Sequence, residues 1–233
     1  MPVFNTLADA LDTHNDSPHG IVFIDGADEE RGLNYRMLTR SAEDRLAVLQ
    51  QLGMTTGEPL ILFVEDNLRF LQFFWGAIYG GIVPVPIAAG ATAAQMDKLL
   101  RVWRHLDEPR LVAAPKHIER LRELLEQRGE QAASERLGER ALSDEPPAVD
   151  VPARRATLTP EHTAFIQFSS GSTGDPKGVV LTHANVLANI EAISSGSRFG
   201  ADEVALSWMP LTHDMGLIGF HLTLVCNGFA HYL

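Results

Sequence analysis

The sequence holds a single cysteine, Cys226, so no disulfide can form within the chain and a cross-linked scaffold is excluded. It is also short of positive charge. Thirty acidic residues stand against nineteen Lys and Arg, a formal net charge of -11, and a phosphate backbone needs clustered Lys and Arg. No nucleic-acid partner is expected. Residues 98 to 128 do carry Lys98, Arg101, Arg104, Arg110, Lys116, Arg120, Arg122 and Arg128, but acids interleave with them and the segment reads as a solvated helix face. A long apolar run is missing too. A spanning helix takes about 20 such residues, and the charge-free stretch Phe70 to Met96 is interrupted by Gly76, Gly80, Gly81, Pro84 and Pro86. That stretch predicts a short core helix feeding a buried strand and no membrane span. The N-terminus, Met1-Pro2-Val3-Phe4-Asn5, has no basic region and meets Asp9 and Asp12 early, so no signal peptide is read and a cytoplasmic location is expected. What remains, 45% hydrophobic and 21% charged over 233 residues, is the composition of a globular protein. A chain of this length buries roughly 70% of its unfolded surface. It needs neither metal nor cross-link to hold a core, and Cys226, in the run Leu224-Val225-Cys226, reads as a buried thiol.

Seven short apolar runs alternate with segments of helical period: Ile21 to Ile24, Leu60 to Val64, Ile82 to Val85, Leu111 to Ala114, Ala164 to Phe168, Val179 to Leu181 and Val204 to Trp208. This pattern predicts an α/β fold of mostly parallel sheets flanked by helices. Leu38, Ala42, Leu46 and Leu49 line one helical face closed by Gly53; Ile118, Leu121, Leu124 and Leu125 line a second. Val186, Leu187, Ile190 and Ile193 line a third after Thr182, a candidate N-cap. From Arg104 to Ala164 there is no Phe, Tyr or Trp, and prolines appear at 146, 147, 152 and 160. The expected organisation is a first α/β subdomain over 1–128, a surface connection over 129–161 with a short helix near Ala132 to Leu142, and a second α/β subdomain beginning at 162.

Chemistry concentrates in Phe165-Ile-Gln-Phe-Ser169-Ser170-Gly171-Ser172-Thr173-Gly174-Asp175-Pro176-Lys177-Gly178-Val179-Val180-Leu181. A strand enters a loop of glycines and small hydroxyl residues, Lys177 closes it and a second strand leaves. Small residues let successive backbone N–H groups converge on one point, which makes an anion-binding concavity. Ser170, Ser172 and Thr173 add hydroxyls and Lys177 an ammonium, all suited to phosphate oxygens. A Walker-type loop does not fit: counted from Gly171, position 176 is Pro, position 178 is Gly, and β-branched residues follow where a helix should start. An ordinary hairpin turn needs only about two to five residues.

Ser169 to Gly178 resembles the phosphate-binding signature of the AMP-forming, adenylate-forming ligases: acyl-CoA synthetases, fatty acyl-AMP ligases, adenylation domains of peptide synthetases and luciferases. Three further segments agree in order. Leu33-Asn34-Tyr35-Arg36-Met37-Leu38 is similar to the family's early Leu-x-Tyr-x-x-Leu element, and Gly76 to Pro86 resembles its Gly-Ala-x-x-x-Gly-x-x-x-x-Pro element. Each of these two also fits plain core packing. Trp208-Met-Pro-Leu-Thr-His213-Asp214-Met215-Gly216-Leu217-Ile218-Gly219 resembles the segment beside the acyl pocket and looks most like fatty acyl-AMP ligases.

The resemblance implies the front part of a large domain and a two-step reaction. A carboxylate attacks the α-phosphorus of ATP carried with Mg²⁺, pyrophosphate leaves, and a thiol takes the acyl group from the adenylate. Ser169, Ser170, Gly171, Ser172, Thr173, Gly174, Lys177 and Gly178 would hold the phosphates, with Lys177 and His213 as the catalytic pair. His213, Asp214, Met215, Gly216 and Gly219 would border a fatty-acid-like carboxylate, with Phe220 or Leu217 as pocket wall. The acceptor implied is an acyl carrier protein, with coenzyme A as the alternative; a non-catalytic nucleotide-binding or interaction module is the other reading, and an unrelated phosphotransferase with a convergent loop a third. No metal-ligand set is read in the protein itself. His213, His221 and His231 are irregularly spaced, and Asp214 reads as a helix cap rather than a magnesium ligand. The family's adenine contacts, hinge and mobile C-terminal domain come later than the acyl-pocket segment, so the 233 residues read as a truncated piece that is inactive alone.

Overall fold

The computed structural model describes residues 3–24, 26, 30–169, 176–200 and 203–233. Each of the seven apolar runs contributes a strand, and what separates them is the partner each finds. β3 (Pro59–Phe63), β4 (Val83–Pro86) and β5 (Arg110–Ala113) pair in parallel with β3 in the middle, and β6 (Ala141–Ser143) extends the sheet beyond β5. Leu60 and Leu62 belong to one core cluster and Ile61 and Phe63 to another. Burial on both faces is why this strand is apolar at successive positions instead of alternating.

A second sheet runs β2 (Glu30–Asn34), β1 (Gly20–Ile24), β10 (Ala230–Tyr232), β9 (Val204–Leu206). Its β1–β10 and β10–β9 pairs are parallel and only β1–β2 is antiparallel. β7 (Thr163–Ser169) and β8 (Lys177–Thr182) form an antiparallel pair of their own. The fold is therefore α/β with mostly parallel sheets flanked by helices, as the alternation predicts.

The helices begin where the sequence can satisfy their first free N–H groups. α1 (Leu7–Thr13) is capped by Thr6, α2 (Tyr35–Gln51) by Asn34, α3 (Asn67–Gly80) by Asp66, α4 (Ala93–His105) by Thr92 and α7 (His183–Ser197) by Thr182. α5 (Pro115–Gln127) starts on a proline, and α6 (Gln131–Arg140) is the short helix expected before Leu142. Gly53 follows the C-cap of α2 at φ +80, a conformation that glycine adopts freely.

Both weaker motifs do packing work. Tyr35 and Leu38 are buried, and the Tyr35 hydroxyl donates to Phe229 O at 2.5 Å. A Cβ at Gly76 would lie 2.7 Å from Ala42 O, and one at Gly80 would collide with Leu46. The small residues thus let α3 lie directly on α2.

The stretch without aromatics does more than connect. β6 joins the parallel sheet, with Val112 opposite Leu142, although three residues with one large apolar side chain carry no detectable period. Farther on, the Gln50 amide brackets the Arg154 backbone, with Arg154 N donating to Gln50 Oε1 at 2.9 Å. The Arg155 guanidinium lies 3.8 Å from the centre of the Tyr79 ring while pairing with Asp12 and Glu43. The segment borrows its aromatic partner from α3. No helix among the described residues is long and apolar enough to cross a membrane.

Candidate functional site

A cavity of about 870 Å³ opens where the C-terminal ends of β3 and β4 meet the β7–β8 pair and the turn before residue 215. Val64 and Glu65 follow β3, and Ala88 and Ala89 follow β4. This is the end of a parallel sheet at which α/β folds hold ligands, because the connecting loops there are free of the ladder.

Strand register places the lysine. Ser169 pairs with Lys177, Gln167 with Val179 and Phe165 with Leu181. Gln167, Val179 and Leu181 line the cavity. Alternate residues of a strand share a face, so Lys177 stands on the cavity side one pair farther out, and it is exposed. Seven residues, 170 to 176, lie between the paired Ser169 and Lys177, more than a hairpin of about two to five needs. The predicted cradle residues Ser170, Gly171, Ser172, Thr173 and Gly174 lie outside the described residues. Gly178 is fixed by packing, since a Cβ there would sit 3.0 Å from both Ile166 and Phe168.

Opposite the β7–β8 pair, Thr212, His213 and Asp214 line the cavity from the turn, and Ile218 lines it from a π-helix, Met215–Leu222. The turn is held at both ends: His213 N donates to Pro210 O at 3.0 Å, and Leu217 N donates to His213 O at 2.8 Å. The Met215 N–H reaches Asp214 Oδ1 at 2.7 Å, with His213 Nδ1 at 3.2 Å. Asp214 is thereby engaged as a cap at the helix start. Among the described residues no three His, Cys, Asp or Glu side chains could hold a metal ion. Gly216 lets the turn fold back on the helix; a Cβ there would lie 2.8 Å from Met209 O and closer still to Pro210 O. A Cβ at Gly219 would meet only the flexible Met215 side chain.

The structure thus brings His213 and Asp214 to one cavity, with Gly216 buttressing their turn, while Lys177 shares the strand face of Val179 and Leu181 without itself lining the cavity. Met215 and Gly219 are not among the lining residues. The wall is neither Leu217, which is fully buried in the core, nor Phe220. Ile218 takes that place from the π-helix.

Glu65, Gln95, Lys98 and Gln167 also line the cavity and were missed by the sequence reading. Lys98 was grouped with a solvated basic face. Gln167 sits two residues before Ser169 on a strand, a parity that does mark it as sharing a face with the loop's entry. At the mouth, a 2.7 Å hydrogen bond from Lys116 holds the Glu65 carboxyl below the usual carboxylate range, against a smaller opposing effect of burial. Glu65 therefore stays ionised beside Lys116.

The family model for AMP-binding enzymes matches residues 11–233. A Caulobacter vibrioides protein assigned as an acyl-CoA synthetase is 32% identical over 94% of this chain and 38% of its own length. JamA of Moorena producens, a medium-chain-fatty-acid–[acyl-carrier-protein] ligase, is 26% identical over 100% of this chain and 40% of its own. Among solved structures, the adenylation domain of a keto acid-selecting NRPS module bound to keto acyl adenylate superposes with a TM-score of 0.85 at 29% identity, over 97% of this chain and 42% of that one. The chain spans about two-fifths of the length of these relatives.

Proposed function

Because the chain belongs to the AMP-binding enzyme family, we propose that it is the part of an ATP-dependent carboxylate ligase that receives the leaving pyrophosphate and borders the acyl group. The observation that carries this reading is the cavity between the β7–β8 pair and the turn of His213 and Asp214, with Lys177 on the same strand face as the lining residues Val179 and Leu181. A carboxylate oxygen forms a bond to the α-phosphorus of ATP, the bond to the β-phosphate bridging oxygen breaks, and pyrophosphate departs with the electron pair. Little here asks for a nucleophilic side chain; positioning and charge neutralisation carry the step. Lys177 supplies a cation to the β- and γ-phosphates, and the loop from Ser169 to Gly174 supplies N–H and hydroxyl donors. His213 and the cap at Asp214 border the carboxylate. Phe70, Val179, Leu181 and Ile218 offer an apolar wall to a fatty chain.

Magnesium carried on the nucleotide would neutralise phosphate charge when bound, the same role assigned to the Lys177 ammonium. The acyl acceptor is a thiol, a carrier protein's in the preferred reading, on the His-Asp-Met-Gly-Leu-Ile-Gly segment and the likeness to an acyl-carrier-protein ligase. Coenzyme A is the second reading, favoured by the acyl-CoA synthetase relative. Location in the cytoplasm fits either acceptor. Spanning two-fifths of its relatives, the 233-residue chain on its own binds polyphosphate without forming adenylate.

Titrating the protein with magnesium pyrophosphate, followed by calorimetry, tests the assignment of Lys177. Lys177→Ala is expected to weaken binding about tenfold or more, the worth of a charge-assisted contact of about 1.5 kcal/mol or above, with the melting temperature unchanged because the side chain is exposed. Equal affinity in a well-folded variant removes Lys177 from the site.

A further inference from the structure

Beneath the cavity wall lies a fully buried chain of three rings that the reaction does not use. Trp75 on α3 places its indole Nε1 2.9 Å from His221 Nε2, and His221 Nδ1 lies 3.1 Å from His231 Nε2 on β10. All three side chains are buried. The indole can only donate, so His221 Nε2 accepts. A neutral His221 then carries its proton on Nδ1 and donates to His231 Nε2, which leaves the His231 proton on Nδ1. One directional chain links α3, the π-helix and the inner strand β10.

That chain bears on the site through the π-helix. Wide i→i+5 winding is rare and depends on outside support. Three supports are present: Gly216 against Pro210, the Thr223 hydroxyl donating to Ile218 O at 2.7 Å, and His221. The first two act within the turn and the helix itself. His221 is fully buried and hydrogen-bonded to Trp75 and His231, so it is the one of the three that anchors the helix to other elements of the core. We propose that His221 is a positioning residue, held as the neutral Nδ1–H tautomer between Trp75 and His231, and that it sets where Ile218 and the His213–Asp214 turn stand in the cavity. Burial, followed by the neighbouring His231, keeps His221 well below its ordinary range of protonation, in keeping with a neutral ring. The inference rests on the carboxylate-ligase reading only for what the cavity holds.

The test combines nuclear magnetic resonance with binding. Ring ¹⁵N spectra of the protein should show His221 protonated on Nδ1 alone, without titration between pH 8 and about 6. In His221→Leu the Ile218 methyl signals should move, and affinity for dodecanoate should fall about tenfold, a loss of about 1.4 kcal/mol, while affinity for magnesium pyrophosphate stays. His221→Gln, whose amide can accept from Trp75 and donate to His231, should restore both readouts. Trp75→Phe, which removes the donor but keeps a ring, should shift the same methyls and serves if His221→Leu does not fold. Protonation of His221 on Nε2, unmoved Ile218 methyls in a folded variant, or parallel loss of pyrophosphate affinity would each overturn the proposal. A wild-type protein that shows the tautomer yet binds no dodecanoate, with the Ile218 methyl shifts present in His221→Leu, counts against the carboxylate-ligase reading and leaves the positioning role standing.

Discussion

Lowering the pH from 7 to 5 is expected to remove several kcal/mol of folding stability. Three histidines are buried, and burial is the largest influence on each, outweighing the opposing pull of Asp9 on His183. His183, whose Nδ1 accepts the Leu7 N–H at 3.2 Å and so ties α1 to α7, is pushed down to about 4 by burial and then by His162. His231 is pushed down to about 4 by burial, and His221 is likewise held well below the usual imidazole range by burial and then by His231. The folded values lie below the unfolded value of about 6.5, so the unfolded chain binds protons first. Stability is complete above pH 6.5 and is lost as the pH falls through the window from 6.5 toward 4. Each group contributes a slope of about 1.4 kcal/mol per pH unit there, hence about 2 kcal/mol at pH 5 for each of His183 and His231, with His221 acting in the same direction, against a total of about 5–15 kcal/mol for a domain. His14 and His117, both lowered by burial first, act in the same direction. Urea midpoints at pH 7, 6 and 5 measure this. A midpoint that does not move over that range contradicts the neutral, buried assignment of the three rings.

Gly216→Val is expected to be the most damaging single substitution at the site. A Cβ at 216 has backbone oxygens on two sides, from Met209 and Pro210, and backbone cannot rotate out of the way as a side chain can. Valine adds two further methyl groups to a collision already present for alanine. The loss is expected to exceed about 3 kcal/mol, which at about 2–4 °C per kcal/mol for a chain of this size lowers the melting temperature by roughly 10 °C. Carboxylate-dependent binding should go with it, because the turn that carries His213 and Asp214 can no longer close on the helix. Gly219→Ala is the matched control: its Cβ meets only Met215 Sδ, at 2.9 Å, and a flexible thioether moves aside for less than about 1 kcal/mol. Melting curves of the two variants decide the point. Equal melting temperatures would show that the close approach at Gly216 is not a constraint on the fold.

Most of the fold was legible because burial on both faces writes itself into sequence. β3 is apolar at successive positions for that reason, and the α2 stripe of Leu38, Ala42, Leu46 and Leu49 is buried throughout. Thr182 was visible as a cap, and its hydroxyl accepts the Asn185 N–H. β6 was not legible: its three residues owe their conformation to the free edge of β5, a tertiary partner no local pattern encodes. The π-helix was not legible either. Met215 to Leu222 has the residues of an ordinary apolar helix, and the wider winding is accompanied by the close approach of Gly216 to Pro210, the Thr223 hydroxyl bond to Ile218 O and the contacts of His221 with Trp75 and His231. Ile218 rather than Leu217 reaches the cavity wall, and Leu217 is buried in the core. At the site, residue type pointed to Lys177 and His213, whereas Lys98 and Gln167 became visible only through strand parity and the meeting of elements. Spacing along the chain hid the Trp75–His221–His231 row, because its members lie on three different elements.

The central claim is that this chain carries the pyrophosphate and acyl side of a carboxylate-activating site. Its most direct test is carboxylate-dependent exchange of labelled pyrophosphate into ATP, measured in an enzyme of family length that carries these 233 residues. Exchange should require a fatty carboxylate and fall by about 10² to 10³ in Lys177→Ala, the scale set by removing one preorganised electrostatic contact, with folding intact. Exchange that ignores the carboxylate, or that proceeds at the wild-type rate in Lys177→Ala, would contradict it.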